Sequence, residues 1–281
     1  MARMIGHFRR TYLPLTETFV YNYLSSHRRY EPFLCGVHAE NLDKFNFEPR
    51  HLFEELPQWC PRFWLYGALA KTGVRELNRT YYADIIEAEN PDVLHAHFGP
   101  MGVELCPQRT PDRPLVTSFY GSDASQLVDR GEAMRSAYRD LFKTGDLFLV
   151  EGPSMREKLL QLGCPEKKIA LQRIAIDTER IVPHYPIPDG EWRILLAGRF
   201  VEKKGIPDGI RAFASAFSDI DGAELRIVGG ESGEITRARL ETIATEHGIR
   251  DQVVFTGFLE YSEYLDEARN CDLLLAPSKT A

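Results

Sequence analysis

The residues best suited to chemistry lie between positions 193 and 212, where an apolar run leads into Gly198-Arg199, a short loop, and then Lys203-Lys204-Gly205 ahead of a helical pattern. A loop that leaves a parallel strand and feeds a helix N-terminus presents free backbone N–H groups and the positive end of a dipole. An Arg side chain adds a bidentate grip on phosphate oxygens, and a Lys side chain adds a compact point charge. Arg199 and Lys204 therefore suit the diphosphate of a departing nucleotide, although basic residues at a helix start also occur as a solvated face.

A second set of candidates sits upstream. His97 lies just past an apolar run and before Gly99, where its ring can hydrogen-bond a sugar hydroxyl, polarise a reacting group, or simply be structural. His95 and His97 share strand parity, a spacing also open to metal ligation. No third or fourth ligand is near them in sequence, so no metal is expected. Asp123, in Tyr120-Gly121-Ser122-Asp123, can bind acceptor hydroxyls or cap a turn. Gly229-Gly230-Glu231-Ser232-Gly233 is not GxGxxG and follows the second strand of its series, which argues against a dinucleotide-binding dehydrogenase.

These residues need elements to hold them. Short apolar runs alternate with helical patterns, the sign of βαβ units and a parallel sheet. Strands are expected near 4–8, 33–37, 93–96, 115–118 and 147–150, with helices over 17–27, 66–89, 132–143 and 154–162. A second series has strands near 194–197, 224–228, 253–256 and 273–276, separated by helices near 207–217, 235–247 and 261–269. Residues 184–190 carry His-Tyr-Pro-Ile-Pro-Asp-Gly, which cannot continue a helix or central strand and reads as a linker. The expected domains are thus 1–183 and 191–281.

Composition narrows the function. At 281 residues and 43% hydrophobic, the chain can build two cores. A net charge of −7 argues against a general nucleic-acid binder. The five cysteines, Cys35, Cys60, Cys106, Cys164 and Cys271, are scattered and odd in number, which points to a reducing compartment. No apolar run approaches the roughly 20 residues of a membrane span, and MARMIGHFRR lacks a secretory apolar core, so a cytoplasmic location is expected.

Five segments, Pro14-Leu15-Thr16-Glu17-Thr18-Phe19, His95-Ala96-His97-Phe98-Gly99, Thr117 through Asp123, Gly198 through Gly205, and Cys271 through Ser278, occur in an order that resembles family 4 glycosyltransferases, closest to the exopolysaccharide and colanic-acid branch. The resemblance covers nearly the whole chain. It implies a GT-B-like α/β fold of two doubly wound parallel-sheet domains, the first on the acceptor side and the second binding the nucleotide sugar. Where relatives continue into an element with two spaced glutamates, this sequence stops at Ala281, so the resemblance implies an incomplete second domain.

The function implied is transfer of a sugar from a UDP- or GDP-sugar to a glycan or lipid-linked acceptor, with retention and no separate cofactor. The alternative is an inactive remnant that binds a sugar nucleotide or a partner enzyme. A sugar-nucleotide epimerase fits Thr-Glu-Thr-Phe and residues 271–278 poorly. On this resemblance Arg199 and Lys204 stabilise the departing diphosphate, Gly229 and Gly230 bring backbone close to the donor, and Gly257 and Phe258 run beside the nucleobase. Thr16, Glu17, Tyr120 and Asp123 fall on the acceptor side, Thr16 also being placed to cap the helix from Glu17. Relatives carry Phe-His-Gly where this sequence has Phe119-Tyr120-Gly121, and a phenol cannot handle protons at neutral pH as an imidazole does. They also carry a Gly-Gly pair where this chain has Arg9-Arg10, two cations suited to a phosphate on a lipid-linked acceptor. Peripheral contact with the inner face of a membrane follows as an expectation from such an acceptor.

Overall fold

The computed structural model describes residues 3–14, 17–72, 74–129, 131–176, 178, 181 and 190–279. The chain divides into two compact units, Met1–Ile176 and Asp177–Ala281. Most of the expected linker, and Thr16, lie outside the described residues.

In unit 1 the chain runs β1 (Arg3–Phe8), β2 (Thr11–Tyr12), α1 (Thr18–Ser25), β3 (Tyr30–Gly36), β4 (His38–Ala39), β5 (Arg50–Leu52), α2 (Pro61–Thr72) and α3 (Val74–Glu89). It continues through β6 (Val93–His97), α4 (Gly99–Leu105), β7 (Leu115–Phe119), α5 (Gln126–Asp129), α6 (Glu132–Thr144), β8 (Leu147–Val150), α7 (Pro153–Gln161) and β9 (Ile169–Leu171). Seven strands form one sheet in the order β5-β3-β1-β6-β7-β8-β9, and β2 pairs with β4 beside it. Every pairing is parallel. The single helix expected over 66–89 is two helices, with Gly73, a poor helix former, between them and outside the described residues.

Strand parity decides what each face of this sheet does. On β1, Phe8 enters a large aromatic core with Phe33, Tyr82, Phe119, Tyr138, Phe142 and Phe148. The opposite parity turns His7, His95 and His97 to the other face, where Tyr23 of α1 meets both His95 and His97 at ring distances of 6.0 Å. A smaller apolar cluster of Tyr12, Leu13, Val20, Leu24, Leu34 and Leu52 seats α1 there. One face thus carries the large core, in which the Thr117 hydroxyl is also buried, and the other encloses a polar pocket of imidazoles.

Unit 2 runs β10 (Trp192–Ala197), α8 (Ile206–Phe217), β11 (Ala223–Val228), α9 (Arg237–Glu246), β12 (Val253–Gly257), α10 (Tyr261–Asn270) and β13 (Leu273–Leu274). Its parallel sheet has the order β12-β11-β10-β13, which brings the ends of the first three strands side by side. Ile194, Leu196, Ile206, Ile210, Phe213, Leu225, Ile227, Leu240 and Ile243 form its core. The last strand is shorter than expected: only Leu273 and Leu274 pair, with Ile194 and Leu195. Arg226 of β11 forms a two-pronged ion pair with Glu267 of α10, at 2.6 Å in both contacts, so that helix is held by charge and buries none of its residues fully.

Candidate functional site

In unit 2 the carboxyl ends of the strands converge. The Gly198 N–H donates to the Val228 carbonyl at 2.9 Å, and the Gly229 N–H donates to the Gly257 carbonyl at 2.8 Å. These two bonds stitch the ends of β10, β11 and β12 into one edge. Gly229 has φ of +131°, and a Cβ there would fall 2.1 Å from the Gly198 carbonyl oxygen. Only glycine permits this approach of two backbones. Gly230 lies under the exposed Phe258 ring, which a Cβ would meet at 2.6 Å.

Arg199 and Lys204 flank this edge. Lys204 lays its aliphatic stem beside Gly198, close enough that a Cβ on Gly198 would meet Lys204 Cγ at 3.5 Å. Gly205, with φ of +64°, turns the chain from that loop into α8. Among the described residues neither Arg199 nor Lys204 has a carboxylate partner, whereas Lys279 beside them is engaged by Glu202 and Asp208. Two cations without a carboxylate partner beside a helix N-terminus and a glycine-lined edge are chemically suited to an anion. The structure brings together Arg199, Lys204, Gly229, Gly230, Gly257 and Phe258, the set singled out from sequence.

In unit 1 the corresponding edge is polar and closed. His97 is fully buried; its Nδ1 meets the Tyr120 hydroxyl at 2.8 Å, and its Nε2 meets His7 Nδ1 at 2.9 Å. His7 Nε2 in turn meets His27 Nε2 at 2.8 Å, and His95 Nε2 meets the Ser118 hydroxyl at 2.8 Å. Burial, reinforced by the neighbouring imidazoles, holds His7 and His97 well below the ordinary histidine range, and burial carries His95 down to about 3. All three are neutral at physiological pH, and one proton is shared between His7 Nδ1 and His97 Nε2. The third imidazole that sequence spacing did not supply comes from His7: it lies opposite His95 in the β1–β6 register although 88 residues separate them.

Tyr120 touches His97 and also packs, with tilted rings, against Phe19 of α1 at 4.5 Å and Phe98 at 4.8 Å. Phe98 adopts φ of +74°, a strained value for a side-chain-bearing residue, and its ring lies under the Arg9 guanidinium at 4.2 Å. Arg9 grips Glu17 with two bonds of 2.7 and 2.8 Å, so these two residues neutralise each other. Glu17 occupies the N-cap position of α1 and makes no side-chain capping bond; that helix begins at Thr18, one residue later than expected.

Asp123 resolves to the turn-capping alternative. Its carboxylate is fully buried and accepts the backbone N–H groups of Gly99, Tyr120 and Gly121, each at 3.0 Å. Burial pushes its carboxyl up from the ordinary range despite those donors. It shapes the loop that presents Tyr120 rather than reaching toward an acceptor. Glu151, half-buried at the end of β8, is pushed up by burial and then by the charge of Asp123. Phe98 and His7 went unnoticed in the sequence, since neither a strained φ nor a cross-strand register is written in local spacing.

Two parallel α/β sheets in series are the architecture of the GT-B class. The likeness to solved structures agrees: Anabaena HepE in complex with UDP-glucose superposes with a TM-score of 0.72 at 16% identity, over 98% of this chain and 74% of that one. The lipopolysaccharide outer core galactosyltransferase WaaB superposes at 0.65, with 14% identity, over 98% of this chain and 74% of that one. A family model described as Glycosyltransferase Family 4 matches residues 26–180, and one described as Glycosyl transferases group 1 matches residues 177–281. The chain belongs to glycosyltransferase family 4.

Curated relatives carry the same theme. The chain is 31% identical over 194 residues to the putative colanic acid biosynthesis glycosyltransferase WcaL of Escherichia coli K12, covering 67% of this chain and 47% of that protein. It is 31% identical over 202 residues to the amylovoran biosynthesis glycosyltransferase AmsK of Erwinia amylovora, covering 68% of this chain and 47% of that protein. The chain spans about half the length of these relatives.

Proposed function

We propose that this chain works in exopolysaccharide biosynthesis, moving a hexose from a UDP- or GDP-sugar to a glycan or lipid-linked acceptor with retention of anomeric configuration. The observation that carries the donor half is the pair of unpartnered cations, Arg199 and Lys204, beside the Gly198–Gly229 backbone contact. As the bond from anomeric carbon to phosphate oxygen breaks, negative charge grows on the diphosphate. Preorganised cations and amides aimed at that charge stabilise it more than they stabilise the bound substrate. In this reading no bridging cation or cofactor is needed on the diphosphate. Gly257 and Phe258 face the base, with Phe258 offering an exposed ring for stacking.

The acceptor half draws on Tyr120 and His97. His97 is too deeply buried to touch an acceptor itself; it sets the direction of the Tyr120 hydroxyl, which then meets the sugar. The five cysteines are free, in keeping with a cytoplasmic location, and no helix among the described residues is long and apolar enough to cross a membrane. A lipid-linked acceptor would bring the protein to a membrane surface only peripherally.

The test is calorimetric titration with UDP, GDP and their sugars, followed by product analysis with labelled donor. Two charge-assisted bonds of about 1.5–3 kcal/mol each predict that Arg199→Ala/Lys204→Ala weakens diphosphate binding by about 100-fold or more. A folded double variant that binds as tightly as the parent would sink the donor assignment. NMR of the product linkage decides retention.

A further inference from the structure

We propose that His7, His95 and His97 form a binding site for a borderline divalent transition-metal cation of the Zn²⁺ class, separate from the diphosphate site and independent of the transferase reading. The three imidazoles come from two adjacent strands. His95 and His97 sit two residues apart on one face of β6, and His7 lies opposite His95 on β1. All three are at least nine-tenths buried, at 0%, 5% and 0% exposure for His7, His95 and His97. One ligand nitrogen from each falls within 4.8 Å of the others.

The hydrogen bonds around the cluster match what a metal would need. Ligating histidines donate their other ring N–H outward, which fixes tautomer and ring orientation. Here His97 Nδ1 has the Tyr120 hydroxyl, His7 Nε2 has His27 Nε2, and His95 Nε2 has the Ser118 hydroxyl. Each imidazole then keeps its single proton on that outer nitrogen. In the metal-bound tautomer His7 Nδ1, His97 Nε2 and His95 Nδ1 are the lone-pair donors, and the proton that joins His7 Nδ1 to His97 Nε2 in the free protein moves to an outer ring nitrogen.

Spacing and access are compatible. Zinc–nitrogen bonds of about 2.0–2.1 Å in tetrahedral geometry set ligand nitrogens about 3.4 Å apart. The His7–His97 pair, at 2.9 Å, opens slightly, and His95 swings inward. The nearby guanidinium of Arg9 is neutralised by Glu17. A surface groove lined by Ile5, His27, Arg28, Arg29, Tyr30 and Val93 has in its wall His27, the hydrogen-bond partner of His7. An all-imidazole donor set selects Zn²⁺, Co²⁺, Ni²⁺ or Cu²⁺ and leaves Mg²⁺ and Mn²⁺ unbound, unlike a cation carried by a nucleotide diphosphate.

The experiment titrates the chelator-treated full chain with Co²⁺, reading its visible d–d absorption, and then displaces it with Zn²⁺. One equivalent per chain is expected, unaffected by excess Mg²⁺, with bands lacking thiolate charge transfer. Binding falls at least tenfold in His95→Gln and His97→Ala, whereas exposed His247→Ala leaves it unchanged. Circular dichroism checks each fold; if His97→Ala does not fold, His95→Gln carries the comparison. Folded parent protein that takes up no Co²⁺ or Zn²⁺ overturns the proposal and leaves a purely hydrogen-bonded histidine cluster. So do uptake undiminished in His95→Gln and spectra that report cysteine ligation.

Discussion

Asp123 shows how a single buried carboxylate organises a loop. Three backbone N–H groups converge on it, from the start of α4 and from the Tyr120 loop. Removing the acceptor leaves these donors unsatisfied in a closed interior, at about 1–3 kcal/mol for such a group. Asp123→Ala should therefore cost about 2–4 kcal/mol in urea unfolding and misplace the Tyr120 hydroxyl; a loss under about 1 kcal/mol would show that the N–H groups find water instead. Gly229 makes the complementary case. Gly229→Ala drives a methyl into the Gly198 carbonyl at 2.1 Å, so nucleotide titration should show at least a tenfold weaker complex. A variant binding like the parent would mean that the strand ends separate without consequence. Both residues were visible in the sequence as types, Asp in a Gly-Ser turn and Gly in a pair. Their roles were not, because a hydrogen-bond target and a neighbouring backbone belong to the folded chain.

Helices and strands were more legible than side-chain roles. The period-two and period-3.6 patterns placed β8 to the residue and the other long strands to within a few residues. The short strands β2, β4 and β5 carry too few residues to show a period. Helix α4 was missed because Gly99, Pro100 and Gly102 read as a loop; it forms because small residues let it lie close on the sheet. The end of α6 shows a long-range cap of the same illegible kind. Lys168, 23 to 26 residues on, donates to the carbonyls of Phe142, Lys143 and Gly145 at 2.7 to 2.9 Å. A cation at a helix C-terminus answers both the orphan carbonyls and the dipole. Lys168→Met should lower stability by about 1.5–3 kcal/mol and speed amide exchange in the last turn of α6. Exchange unchanged there would assign the loss elsewhere.

At the scale of the whole molecule, acid tests how far its ion pairs matter. The bidentate bond from Arg226 holds Glu267 below the ordinary carboxylate range. Asp146 is raised by burial, but bonds from Arg109 and the Leu115 N–H outweigh this and leave it lowered. Both carboxylates protonate more readily in the unfolded chain than in the folded one. Their contribution is present above the unfolded pKa of about 4 and is lost as pH falls through that value toward the lower folded one. The urea midpoint should therefore drop between pH 5 and pH 3, and less steeply in Arg226→Met; equal slopes would mean the pair does not couple to folding. The pairing of His7 with His95 has a consequence in time. Strand β1 lies inside its sheet between β3 and β6, yet the β6 flank of it is encoded some 90 residues later. On a ribosome, β1 can meet β3 early but waits for residue 97 to emerge before its other edge is covered. During that interval the nascent chain exposes the unpaired β1 edge that carries His7, the stage at which a chaperone would matter most.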